Sequence, residues 1–139
     1  MPEKLLTREQ FRLQTLSRQP GCDMPFCSAE KVDAHHILNR NLWTEEHEKG
    51  GYFLSNGAGL CARHHYAAEL TLLSVEDLRQ SVGIVDFAMP ARFNRGLVYD
   101  TWGNQILSTG VRKPGPLFND PGCQKALKAA GVLWQFIGR

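Results

Sequence analysis

The sequence has no long hydrophobic run, no internal repeat and no low-complexity tract. No stretch approaches the roughly 20 apolar residues that a membrane-spanning helix requires, and the first residues lack the apolar segment of a secretion signal. We therefore expect a protein that does not enter a membrane and that resides in the cytoplasm. Because thiols stay reduced there, this location disfavours a disulfide framework for the four cysteines.

The chain also has little net charge. A balance of +2 does not by itself argue for a nucleic-acid partner, but the charge is unevenly distributed. Residues 1–87 carry nine Lys and Arg against twelve Asp and Glu, whereas residues 88–139 carry seven against two. The basic C-terminal segment is therefore predicted to contact a polyanion. The alternative is an ordinary solvated surface.

Length and composition fit one globular domain. The 139 residues are 42% hydrophobic and 22% charged, which excludes the disordered, fibrous and collagen-like classes. Thr7 and Gln10 have capping-box spacing, and Ser74 and Gly83 have the character of a helix start and a helix end. In chain order we predict a helix (8–18), a strand within 31–38, an apolar run (52–61), helices over 62–70 and 74–83, a hairpin (97–107) turning at 103–104, and a helix (121–136). We assign the chain to the α+β class, as a single domain over 1–139.

Three cysteines and a histidine form two pairs with the spacing of zinc ligands. Four residues separate Cys22 from Cys27, and two separate Cys61 from His64. If a helix contains the second pair, positions i and i+3 share a face, so both side chains can bind one ion. We predict a structural Zn²⁺ here; the alternative is buried cysteines and a surface histidine. Cys123 has no partner in this scheme and is expected to be a core or free thiol.

His35, His36, Asn56 and His65 form a second group of chemistry-bearing residues. His35 and His36 stand at the end of the predicted strand, and Asn56 precedes the helix that carries His65. Adjacent helical residues diverge by about 100°, so His65 faces away from the zinc ligand His64. Neighbouring strand residues point to opposite faces unless the strand ends or bulges. The alternative for His35 and His36 is thus one core histidine and one solvent-facing histidine.

In order and spacing, the two groups together resemble the HNH endonuclease family, also called ββα-metal or His-Me finger nucleases. The matching residues are Cys22, Cys27, His35-His36-Ile37, Asn56 and Cys61-Ala62-Arg63-His64-His65. The resemblance covers residues 7–70. It implies a ββα-metal core over 7–83, cross-linked by the structural zinc and including the N-terminal helix. The basic segment 84–139 would then be a C-terminal hairpin-plus-helix extension.

The resemblance also implies a role for each residue. His35 and His65 would bind a catalytic divalent cation, Mg²⁺ or another such as Mn²⁺ or Ni²⁺, and His36 would be the general base. Asn56 would stabilise the loop and orient the His36 ring. His64 departs from the family pattern, because many members have a second cysteine there.

Two acidic residues are secondary candidates at the cation site. Glu69 stands where some family members have a histidine or a lysine, and it lies on the His65 side of the predicted helix, four residues on. It is therefore a possible ligand. Asp33, on the predicted strand, is a candidate for contacting a metal ligand without binding the ion itself. The alternative is that Asp33 belongs to the polar face of the strand.

These residue types suit hydrolysis of a phosphodiester bond, which needs an aligned water and neutralised phosphoryl charge. Histidine suits the role of base because its ordinary pKa of roughly 6.5 leaves it largely neutral at neutral pH. Arg63 and Arg40 are the arginines nearest to the motif and are expected to bind phosphate, with plain surface charge as the alternative. We therefore predict a metal-dependent DNA endonuclease and leave RNA open as a substrate. The alternatives are a catalytically inactive, zinc-stabilised nucleic-acid-binding module and, less favoured, a protein-binding zinc domain.

Overall fold

The computed structural model describes residues 3–136, and in this range the chain is a small α+β protein. The helices are α1 (Arg8–Leu16), α2 (Ala62–Glu69), α3 (Val75–Val82) and α4 (Pro121–Ala130), and the strands are β1 (Asp33–His36), β2 (Gly57–Leu60), β3 (Gln105–Ile106) and β4 (Arg112–Lys113). Short 3₁₀ helices cover Arg40–Leu42, Glu46–Gly51, Leu54–Asn56 and Leu133–Gln135. Within the described range, no helix is both long enough and apolar enough to cross a membrane.

The two sheets are both two-stranded and antiparallel. In the first sheet, β1 pairs with β2 so that His35 lies opposite Ala58 and His36 lies opposite Gly57. In the second sheet, β3 pairs with β4. Helix α2 begins directly after β2, so β1, β2 and α2 form a compact ββα unit. This unit contains both histidines of the strand and both histidines of α2.

Helix α1 packs across the first sheet. Its predicted capping box is confirmed: the Thr7 hydroxyl accepts from the Gln10 amide at 3.1 Å, and the Gln10 side chain accepts from the Thr7 amide at 3.0 Å. Phe11 and Thr15 are the buried residues of α1. A Cβ at Gly57 would clash with the Thr15 hydroxyl and would lie 3.0 Å from the Phe11 ring. Glycine at this position therefore allows α1 to approach β2 closely, beside the end of β1.

The buried apolar side chains form two clusters. The first cluster lies under the ββα unit and α3, and it includes Ile37, Trp43 and Leu78. The second lies between α4 and the C-terminal 3₁₀ helix, and it includes Cys123. Cys123 is thus a core residue, and burial raises the pKa of its thiol to about 12. Leu117 packs against both clusters, which joins the C-terminal part to the rest of the fold.

The structure corrects several predicted boundaries. Helix α4 ends at Ala130 and not at residue 136, because the left-handed backbone of Gly131 (φ +70°) stops the helix. The predicted turn at 103–104 is present, with Tyr99 bridged to Gln105, but the β3–β4 ladder lies after that turn. The first strand, Asp33–His36, lies within the predicted range 31–38.

One basic residue of the C-terminal segment is not a surface charge. Arg112 is 7% exposed, and its guanidinium lies 3.0 Å from the buried carboxylate of Asp100. The same guanidinium donates to the Thr71 hydroxyl at 2.7 Å and to the Gln135 side chain at 2.9 Å. Arg112 therefore holds the C-terminal part to the loop after α2 and does not contribute to a polyanion-binding surface.

Candidate metal centres

The four residues expected to bind zinc lie together. One ligand atom from each of Cys22, Cys27, Cys61 and His64 falls within 4.8 Å of all the others. The Cys27 and Cys61 sulfurs are 4.0 Å apart, and His64 Nδ1 lies 3.3 Å from the Cys61 sulfur and 3.5 Å from the Cys22 sulfur. Around a tetrahedral zinc with bonds of about 2.0–2.3 Å, ligand atoms are separated by roughly 3.5–3.8 Å. The donor set and its spacing are therefore compatible with a structural zinc.

Local structure places these ligands. Cys61 is the N-cap of α2 and not part of its first turn, and its sulfur accepts from the His64 amide at 3.5 Å. Burial alone would raise the pKa of the Cys61 thiol, but hydrogen bonds from backbone amides and from the neighbouring cysteines outweigh burial and leave it below its ordinary value. A thiol that ionises readily is the form that a zinc ion binds.

Asp23 fixes the loop that carries the first two cysteines, a role that the sequence did not indicate. This side chain is 3% exposed. It accepts from the Gly59 amide at 2.6 Å and forms ion pairs with Arg18 at 3.1 Å and Lys31 at 3.0 Å. The Asp23 amide in turn donates to the Gly59 carbonyl at 2.8 Å. The loop is thus bound to β2, the strand that leads to Cys61.

A second group of ligand-type atoms is formed by His35, His65 and Glu69. The Glu69 carboxylate oxygen Oε1 lies 3.4 Å from His65 Nε2 and 3.7 Å from His35 Nδ1. Ligands on adjacent positions of a six-coordinate ion with bonds of about 2.1 Å are separated by about 3 Å, so small rotations of these side chains would bring all three onto one ion. Two imidazoles and one carboxylate suit a divalent transition ion or Mg²⁺.

Asp33 orients one of these histidines. Its carboxylate lies 3.0 Å from His65 Nδ1, on the opposite side of the ring from Glu69. The hydrogen bond to Glu69, together with the charges of Glu69 and Asp33, raises the pKa of His65 above its ordinary value despite partial burial. A carboxylate on Nδ1 directs Nε2 towards the ion position, which is the common arrangement behind metal-binding histidines.

His36 lies beside this group, because the strand ends there. Its ring stacks on Phe11 with centroids 4.6 Å apart and meets the Tyr52 ring edge-on at 5.3 Å. Burial, followed by the nearby charge of Arg40, lowers the pKa of His36 to about 4. Burial likewise lowers the pKa of His35 to about 3. Both rings are therefore neutral at neutral pH, the form that can bind a metal ion or accept a proton.

Asn56 fixes the loop beside His36. The side chain is 1% exposed. Its Oδ1 accepts from the Leu38 amide at 2.9 Å, and its Nδ2 donates to the Leu38 carbonyl at 3.0 Å and to the Gly51 carbonyl at 3.2 Å. The residue therefore joins the segment after β1 to the Gly50–Gly51 turn. The Gly50 backbone is near enough to the His36 ring to raise its pKa against the effect of burial.

A cleft of about 340 Å³ connects these groups. Its lining includes the three ligand-type residues, His36, Asp33 and three arginines. The arginines are Arg8 and Arg12 of α1 and Arg40 of the loop after β1. Arg63, the other arginine expected to bind phosphate, is not part of this lining. The cleft thus combines the neutral rings of His35 and His36, the ring of His65, two carboxylates and a positively charged wall.

Two sets of residues in or beside the cleft were missed by sequence reasoning. Arg8 and Arg12 are four residues apart on a correctly predicted helix, so their common face was readable, although the contact with the cleft was not. Thr101 and Trp102 lie in the segment assigned to the C-terminal extension. The Thr101 hydroxyl lies 3.4 Å from His35 Nε2, and the Trp102 indole donates to the Glu69 carbonyl at 3.0 Å. Neither residue had a local signal.

In comparisons with known proteins, no family model, no curated protein and no solved structure matches the chain. The assignment of a function therefore rests on the geometry of the cleft and on the residues that line it.

Proposed function

We propose that this protein is a metal-dependent endonuclease of the HNH type that hydrolyses DNA. One observation carries the proposal: the group of His35, His65 and Glu69 opens into the same arginine-lined cleft as His36. Metal-assisted phosphodiester hydrolysis requires an ion site, a base and cationic side chains for phosphate in one place. The cleft holds all three types of residue. The zinc-type group formed by the cysteines and His64 would support the fold.

Each of these residues would have a distinct role in the reaction. His35, His65 and Glu69 would hold the divalent cation, which supplies Lewis-acid charge at a phosphoryl oxygen. His36, neutral at neutral pH, would accept the proton of the attacking water. Its Nε2 is buried and has no hydrogen bond that meets the usual geometric limits, so Nδ1 would be the nitrogen that accepts the proton. Asn56 would keep the His36 surroundings fixed.

The arginines of the cleft would bind the substrate backbone. Arg8, Arg12 and Arg40 stand on the cleft wall next to His36. A guanidinium offers two parallel N–H donors to a phosphate, and its charge stays on at every relevant pH. This set replaces the pairing of Arg40 with Arg63 that sequence proximity suggested. It also moves the expected phosphate contacts from the C-terminal segment to α1.

One observation favours the second candidate, an inactive zinc-stabilised nucleic-acid-binding module. His36 is packed between Phe11 and Tyr52, and its pKa of about 4 makes it a weak base. In that reading the arginine wall would still bind nucleic acid, while His36 would only fill space under α1. A cleavage assay separates the two candidates.

The test is a plasmid-nicking assay. Supercoiled DNA is incubated with the purified protein and Mg²⁺, Mn²⁺ or Ni²⁺ in turn, and nicked and linear products are measured, with an RNA substrate in parallel. We expect His36→Ala to lower the cleavage rate by about 10²–10⁴-fold while DNA affinity and a cooperative thermal transition are kept. His47→Ala is the matched control, because His47 is 78% exposed and lies outside the cleft. Salt-dependent DNA binding without cleavage under any ion would favour the inactive module.

A further inference from the structure

Thr101 contacts the candidate cation site at His35, on the ring nitrogen that faces away from Glu69. It is 2% exposed and comes from a segment 66 residues after His35. The Thr101 hydroxyl oxygen lies 3.4 Å from His35 Nε2 and 3.4 Å from the His36 backbone carbonyl. The Thr101 carbonyl in turn accepts from the Asn39 amide at 2.8 Å. Thr101 is therefore bound to both sides of the end of β1.

The hydroxyl can satisfy both contacts in only one way. It has one proton to donate, and its oxygen can also accept. The His36 carbonyl can only accept, so the hydroxyl proton goes to it. The Thr101 oxygen then accepts the Nε2–H of His35. In this arrangement the His35 ring carries its proton on Nε2, and the lone pair of Nδ1 is directed to the side on which Glu69 lies, 3.7 Å away.

The turn that carries Thr101 is itself firmly fixed. The preceding Asp100 side chain is fully buried and accepts from the backbone amides of Trp102 and Asn104, both at 3.0 Å. It also forms the buried ion pair with Arg112 at 3.0 Å. The following Trp102 donates its indole N–H to the carbonyl of Glu69, the last residue of α2. Side chains of this turn therefore contact two of the proposed ligand residues, His35 at its ring and Glu69 at its backbone carbonyl.

We propose that Thr101 is a positioning residue of the cation site, which selects the His35 tautomer that presents Nδ1 to the ion. It would do for His35 what Asp33 does for His65. With both partners in place, each imidazole presents a defined nitrogen towards Glu69 before any ion is bound. The metal-binding part of this inference rests on the proposed cation site, whereas the tautomer of His35 can be measured without an ion.

The tautomer is measured by NMR on metal-free protein labelled with ¹⁵N-histidine, in which the two-bond couplings between ring protons and nitrogens distinguish Nε2–H from Nδ1–H. We expect His35 in the wild type to carry its proton on Nε2. Thr101→Val, which keeps the shape and removes the hydroxyl, should shift His35 towards a mixture, and Thr101→Ser should restore the Nε2–H form. Thr44→Val is the matched control, because Thr44 is exposed. An unchanged His35 tautomer in Thr101→Val would overturn the inference.

Metal affinity gives the second readout. Loss of a partner behind a metal-binding histidine typically costs about 10–100-fold in affinity. We expect Thr101→Val to weaken Mn²⁺ binding by that factor, measured by titration calorimetry, and Thr101→Ser to retain it. If the wild type binds no Mn²⁺, the proposed cation site fails while the NMR result still decides the tautomer. If Thr101→Val changes the tautomer but not the Mn²⁺ affinity, Nδ1 of His35 does not hold the ion and the proposed role of Thr101 is wrong.

Discussion

The ring of His36 stacks on the ring of Phe11, with centroids 4.6 Å apart. This contact ties the N-terminal helix to the end of β1, and the same helix turns Arg8 and Arg12 towards the cleft. The helix that packs the core thus also forms the positively charged wall beside the proposed base. We therefore propose that DNA contacts α1 and not the basic C-terminal segment, where the sequence led us to expect it, and this proposal can be tested directly.

Replacing Arg8 and Arg12 together by glutamine should weaken DNA binding and reduce its salt dependence. The slope of log K against log salt is negative, and each phosphate contact that is lost reduces its magnitude by about 1, so we expect the magnitude to fall by about 2. Fluorescence anisotropy with a labelled duplex between 50 and 300 mM salt measures the slope. Lys125→Gln with Lys128→Gln is the matched control, because both lysines are exposed on α4. If the magnitude of the slope decreases in the lysine variant and not in the arginine variant, the C-terminal segment and not α1 contacts the DNA.

Removing the proposed structural zinc should unfold the protein. The cysteine–histidine group joins the loop after α1 to the start of α2, and a chain of this kind gains much of its folding free energy from the ion. We expect Cys61→Ser to lose both bound zinc and a cooperative thermal transition in circular dichroism. Cys123→Ser is the control, because Cys123 lies in the second core cluster and outside the cysteine–histidine group. This variant should still bind one zinc. A Cys61→Ser protein that melts within a few degrees of the wild type would contradict the assignment.

Replacing Asn56 by alanine should destabilise the fold. The change leaves the buried Leu38 amide without its partner. It also removes one hydrogen bond from the Gly51 carbonyl, which still accepts from the Phe53 amide at 2.8 Å. An unsatisfied buried group costs about 1–3 kcal/mol, so we expect a loss of at least about 1 kcal/mol in urea denaturation. Cleavage should also fall under conditions where the variant is folded, because the Gly50–Gly51 turn beside His36 is no longer held. Asn41→Ala, at an exposed position, should change neither quantity.

The pairs within the two groups of ligand-type residues could be predicted because they are short local patterns, whereas the meeting of His35 with His65 was expected only from the resemblance to the HNH family. The spacings of the cysteines and of His64 and His65 are fixed by one turn and one helix, so the sequence itself carries their geometry. The helix caps at Thr7 and Ser74 were readable for the same reason: the partner lies three residues away. Each of these ligand pairs and caps depends on residues that are close in the chain.

The supporting contacts could not be predicted, because they join distant parts of the chain. Thr101 meets His35 across 66 residues, and Asp23 meets Gly59 across 36. No periodicity or cap identifies such a pair from the sequence. Arg112 is a further case. The sequence analysis counted it among the surface charges of the basic C-terminal segment, but it lies buried in an ion pair with Asp100. Its burial is set by the packing of the second sheet against the loop after α2.

His35, which is buried, and His36, which is half-buried, should make the protein less stable in acid. The pKa of His36 is about 4 and that of His35 about 3 in the folded protein, whereas the ordinary value of 6.5 applies to the unfolded chain. Between pH 6.5 and 4 the unfolded chain therefore binds protons that the folded protein does not, so the free energy of unfolding falls as pH falls through this window. Above pH 6.5 both states hold these rings neutral and the contribution is complete.

The part due to His36 is isolated by comparing the wild type with His36→Gln. We expect the urea midpoint of the wild type to fall more steeply between pH 6.5 and 4.5 than that of the variant, which cannot bind the extra proton when it unfolds. His65, whose pKa is raised, acts in the opposite direction and at higher pH, where its stabilisation is lost as pH rises, and it is the same in both proteins. His47→Gln should follow the wild type, because its ring is exposed. Equal slopes for the wild type and His36→Gln would mean that His36 is not held neutral under Phe11, and the proposed base would then lack the enclosed position assigned to it.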